Sequence, residues 1–124
     1  DTPIVKKEHQ GKGKYKTELY HSGKFNKLGM IHNVRNVVFE PAEDKGIDWV
    51  NFAITQIESA FRWNRPAVIS SHRVNFCGNI SESNRQTGIA NLKRLLSHII
   101  MKWPEAEFMS SDTLMEVLRR QRNA

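Results

Sequence analysis

Ser71, His72 and Arg73 follow directly on an apolar run, Ala67-Val68-Ile69, with no turn residue between them. Two hydroxyls (Ser70 and Ser71), an imidazole and a guanidinium at the end of a buried strand suggest acid–base chemistry. His72 is the proton donor or acceptor, and Arg73 holds a negative oxygen. Two other apolar runs end in polar groups. "NVVFEP" ends at Glu40-Pro41, and "AEFMSS" ends at Ser110 and Ser111, followed by Asp112. If the three runs are parallel strands, their carboxyl ends share one rim, where ligands of α/β sheets bind. The candidate catalytic groups are therefore His72, Arg73 and Glu40, and the candidate substrate contacts are Ser71, Asn75 and Ser110. A plainer reading stands beside this one: Ser111 or Asp112 caps a helix, Glu40 is solvated, and His72 and Arg73 serve loop structure.

The elements that must position these groups are legible as periodicities. The spacing predicts a strand over 35–40, stopped by Pro41. In "GIDWVNFAITQIESAFRW", Ile47, Val50, Ile54, Ile57 and Phe61 recur at steps of three and four, an amphipathic helix. "PAVISSH" is the second strand, and "NFCGNISESNRQ" is a polar connection. "TGIANLKRLLSHIIMKW" is a second helix, ended by Pro104. "AEFMSS" is a third strand and "DTLMEVLRRQR" a last helix, with Leu114, Val117 and Leu118 on one side. Strand–helix repetition of this kind is the signature of parallel βαβ units. The expected class is α/β, with three consecutive βα units over 36–124 and a basic, glycine-rich, mostly irregular segment over 1–35. Three parallel strands make a poor complete domain, so either the N-terminal third adds irregular or antiparallel cover, or the chain is the tail of a barrel. Their open edges favour homo-oligomers. The chain opens on Asp1 rather than Met, as expected of a piece of a longer protein.

Composition bounds the partners. Of the 124 residues, 39% are hydrophobic and 26% charged, as in globular domains. No apolar run approaches a membrane span, and no charged-then-apolar leader opens the chain. Residues 1–36 carry eight Lys/Arg against three Asp/Glu, and residues 37–124 carry eleven against ten. The net charge of +6 therefore belongs almost wholly to the N-terminal third. "GKGKYKT" fails as a phosphate loop, because Tyr15 follows Lys14 and no strand precedes it. What remains is a basic segment with one aromatic, able to touch an anionic polymer. An acidic glycan fits it; nucleic acid is not the expected partner. The single cysteine, Cys77, excludes an internal disulfide and reads as a small thiol without a base. His9, His21 and His32 lack the three- or four-residue spacing of a helical metal site, and His98 reads as a plain helix residue.

"RNVVFEP", "AFRWNRPAVISSHRVNF" and "WPEAEFMSSDTL" together resemble the C-terminal part of bacterial polysaccharide deacetylase-like proteins, built on an irregular (β/α)7 barrel. The likeness covers residues 35–118, and more loosely "EHQGKGKY". It implies carbohydrate chemistry: removal of acetyl groups from a polysaccharide, with a divalent metal held by one Asp and two His. A second Asp is the base, and a late His at a strand end is the general acid. That late His matches His72, with Arg73 or Glu40 orienting substrate or catalytic groups. The family's metal and base motifs have no counterpart here, and the Asp that usually follows the late His is replaced by Arg73. This chain is thus expected to hold no metal and to be inactive as a deacetylase alone. The alternative is a non-enzymatic α/β module that binds an anionic polymer through its basic third.

Overall fold

The computed structural model describes residues 5–43, 45–79 and 81–123. In chain order the elements are β1 (Val5–His9), β2 (Tyr15–Leu19), β3 (Val37–Val38), α1 (Trp49–Arg62), β4 (Ile69–Ser70), a 3-10 turn (Arg73–Asn75), α2 (Glu82–Lys102) and α3 (Ser111–Asn123). They fall into two compact units, Asn36–Phe108 and Asp1–Arg35 with Met109–Ala124.

The Asn36–Phe108 unit is a mixed α/β assembly around one parallel pair. β3 pairs with β4 in the register Val37↔Ile69 and Val38↔Ser70, with α1 as the crossover. Two-residue strands carry few ladder bonds, and side chains supplement them. The Asn36 amide donates to Pro66 O at 2.9 Å and accepts from Val68 N at 2.7 Å. At the other end Phe39 N donates to Ser70 O at 3.0 Å. Along the outer edge Val38 N donates to Gln56 Oε1 of α1 at 2.7 Å.

α1 begins where Asp48 caps it, accepting from Asn51 N. It ends in a Schellman motif: Asn64 takes a left-handed φ of 53°, Arg65 N donates to Ala60 O, and Asn64 N donates to Phe61 O. Pro66 then starts the extended run into β4. The apolar stripe of α1 meets Val37 and Phe39 on one side and Leu95 and Ile99 of α2 on the other. Val37, Phe39, Val50, Ala53, Ile57 and Leu95 are at most 1% exposed. Phe61 stacks edge-on against Trp103, with ring centroids 5.1 Å apart.

Two expectations are corrected. Residues 106–110 form no strand; Ala106 N turns back onto Trp103 O after Pro104, and Phe108 and Met109 stand exposed. A strand needs a partner ladder, and β3 and β4 pair only with each other among the described residues. The third βα unit is therefore absent there. Secondly, α2 starts at Glu82, because Ser81 caps it through Asn84 N; its first turn is polar and carries no apolar period. Within the N-terminal segment, regular pairing is confined to a few short stretches. β1 and β2 form an antiparallel hairpin, and a bridge joins Phe25 to Ile31. That unit is held by Ser22, whose hydroxyl accepts from Val34 N at 2.9 Å, and by the close approach of Gly23 to Leu118 of α3.

Leu95 is fully buried in the core cluster, so Leu95→Ala is expected to lower unfolding free energy by about 2–5 kcal/mol in urea denaturation. Exposed His98→Ala is expected to stay within roughly 0.5 kcal/mol of the parent.

Candidate active site

Because β3 and β4 are parallel, their carboxyl ends lie at the same edge. Glu40 and His72 stand two residues beyond the last rung of that ladder. Glu40 is 5% exposed. An unpaired buried carboxylate would be costly, so its oxygens require donors. They have three. His72 Nδ1 lies 2.6 Å from Oε1, and Asn75 Nδ2 and His72 N lie 2.6 Å and 3.3 Å from Oε2.

The electrostatics follow from this cage. Burial is the largest single influence on Glu40 and by itself raises its pKa. The hydrogen bonds from the Asn75 amide, the His72 ring and the His72 backbone, with the His72 charge, together outweigh burial and hold the carboxyl below its ordinary value. An ionised carboxylate only accepts, so the Nδ1 of His72 must carry its hydrogen. That fixes the tautomer. No described residue bonds to Nε2. The His72 side chain is 73% exposed, whereas that of Glu40 is 6% exposed. A buried anion thus orients an accessible imidazole, the arrangement used by acid–base histidines.

Asn75 sets the anion in place. Expected from the sequence at the substrate, it is instead 0% exposed. Its Nδ2 serves Glu40 Oε2, His72 O at 2.9 Å and Ser71 Oγ at 3.1 Å, while its Oδ1 accepts from Ala42 N at 2.8 Å. One side chain therefore ties the loop after β3 to the turn after β4. Behind it, α2 passes so close that a Cβ on Gly88 would lie 1.6 Å from Asn75 O. A glycine inside a helix costs stability relative to alanine, and here close backbone approach explains it.

The remaining candidates are distributed as follows. Ser71 is exposed and joins the network through Asn75. Arg73 opens the 3-10 turn with its side chain exposed at the rim. Ser110, expected as a substrate contact, caps α3: Thr113 N donates to its hydroxyl at 3.3 Å and Leu114 N to its carbonyl at 3.0 Å. Cys77 is a free, exposed thiol.

A cleft of about 440 Å³, unmarked by any sequence motif, opens beside the 41–48 loop and the first turns of α2. Ala42, Glu43, Asp48, Asn84, Asn91 and Arg94 are among its lining residues. Arg94 is steered by Asn91 Oδ1 at 3.2 Å, and Trp49 Nε1 donates to Glu43 O at 3.1 Å. Carboxylates, amides and a guanidinium alternate around the cleft, so it offers donors and acceptors together. Among the described residues no group of three or more His, Cys, Asp or Glu is arranged to hold a metal ion. The donor set implied by the resemblance is not met among those residues.

Gly88→Ala is expected to destabilise the chain by about 1–3 kcal/mol or more, since backbone must shift to admit the methyl group. Denaturation midpoints check this. The pH dependence has a definite sign. The folded carboxyl of Glu40 lies below its ordinary 4.5, so the unfolded chain binds the proton more readily. The stabilisation is fully present above that ordinary value and is lost as pH falls through the lowered one. Urea titrations of the parent and Glu40→Gln should therefore show the parent's stability falling more steeply on the acid side. Compared with protein families, with curated proteins and with solved structures, the chain matches none.

Proposed function

We propose that the chain carries the acid–base edge of a carbohydrate-active, polysaccharide deacetylase-like hydrolase, its parallel βαβ unit being a portion of an irregular (β/α) barrel. The observation that carries the reading is the 2.6 Å contact between the buried Glu40 carboxylate and the Nδ1 of an exposed His72 at the ends of two parallel strands. His72 is the general acid. In its protonated form it gives the Nε2 proton to the departing sugar nitrogen or oxygen as the bond to the acetyl carbon breaks. Glu40 holds the ring through Nδ1 before and after the transfer.

Glu40 and Asn75 are positioning residues in this scheme, because both are buried. Arg73, exposed beside His72, supplies a positive group for a developing oxyanion. Activation of the attacking water lies outside the role assigned to these residues. The neighbouring cleft supports a sugar substrate. A hydroxyl is both donor and acceptor, and walls that mix Asp48, Asn84, Asn91 and Arg94 can satisfy both halves.

The test is an NMR titration of the whole chain with an N-acetylated chitooligosaccharide. Resonances of His72 and Arg73 should shift together with those of Asn84 and Arg94, with little dependence on salt. Arg94→Ala should weaken the response several-fold. Spectra that do not move at His72 at millimolar sugar would reject the proposal.

A further inference from the structure

We infer that the β1–β2 hairpin is a docking surface for an acidic polysaccharide. The argument begins with register. Lys7 stands opposite Thr17 and His9 opposite Tyr15, while Glu8 and Glu18 occupy the alternate positions opposite Lys16 and Lys6. Side chains alternate across a strand, so the positions of Lys7, His9, Tyr15 and Thr17 share one face, and no acid falls on it. Glu18 is already engaged. Lys24 Nζ reaches Oε1 at 3.0 Å, and the Tyr20 hydroxyl donates to Oε2 at 3.0 Å.

The tip adds two further cations. Gln10 N donates to Lys14 O and Lys14 N to Gly11 O, which closes the turn around Lys12. Lys12 sits at a left-handed φ of 49° between Gly11 and Gly13, where glycine or asparagine would fit at lower cost. The turn itself therefore does not select a lysine there. Lys7, Lys12 and Lys14 are all exposed. Beside them the Tyr15 ring is 63% exposed and is braced edge-on by His9, at 5.1 Å between centroids. An aromatic ring beside exposed cations is suited to a sugar chain that carries carboxylates.

Two features favour a glycan over nucleic acid. All basic residues before Arg35 are lysines. Reading of guanine edges relies on arginine's planar fork, and the hairpin carries no arginine. Single-stranded nucleic acid is also read on platforms of several stacked aromatics, and this hairpin offers Tyr15 and His9, tilted at 71° to one another. The inference rests on the hairpin alone and is independent of the role given to His72.

The test uses the full chain with polygalacturonate, with neutral dextran and poly-dT as controls, by titration calorimetry. Polygalacturonate should bind at low salt and weaken roughly tenfold or more between about 50 and 200 mM NaCl. The double variant Lys12→Glu/Lys14→Glu changes only exposed tip residues. It should abolish binding with an unchanged circular dichroism spectrum, while His72→Ala should bind as the parent does. Absence of binding at low salt, binding that survives the double variant, loss of binding in His72→Ala, or tighter binding to poly-dT would each overturn the inference.

Discussion

A carboxylate enclosed by protein imposes conditions on everything around it, and Glu40 is that group here. At 5% exposure it cannot rely on water, so the chain must bring donors from elsewhere. All three come from the segment after β4, over thirty residues away in sequence. The pairing of β3 with β4, the 3-10 turn that follows and the orientation of the His72 ring answer one electrostatic requirement. Each charge-assisted bond contributes about 1.5–3 kcal/mol, and removing a single partner leaves the anion partly unsatisfied.

The same requirement reaches α2 through Asn75. An amide that serves both Glu40 and Ala42 N must be buried, and its own backbone must lie close to the next layer. Gly88 is the helix's accommodation to that approach. Packing behind Glu40 and the exposed imidazole in front of it are thus set by the same contacts. Leu95 and Ile99, about two and three turns further along α2, complete the core that keeps the helix in place.

Much of this was legible in the sequence wherever an apolar period was strong. The stripe from Val50 to Phe61 defined α1, and a run ending in His72 beside one ending in Glu40 marked the rim. Legibility failed where other forces decide. "AEFMSS" has strand composition, yet a strand exists only where a neighbour accepts its hydrogen bonds. β1 and β2 are so polar that alternation cannot reveal them; their pairing depends on a turn whose left-handed Lys12 no pattern announces. Asn75 read as a substrate contact because a sequence carries no burial. The one available hint was Gly88, an interior helix glycine calling for a close backbone neighbour.

The side chain of Asn36 has a consequence beyond the bonds it makes. Its bond to Val68 N spans the same sequence separation, 32 residues, as the bonds from His72 to Glu40. The two contacts bracket the short ladder like end stops on a ruler. A one-residue slip would forfeit both at once, so four residues of chain on each side keep time with one another. Length is therefore rigidly specified within 36–40 and 68–72. The turn between Trp63 and Pro66 lies outside the ruler and can change length in a descendant sequence without moving the imidazole away from its carboxylate.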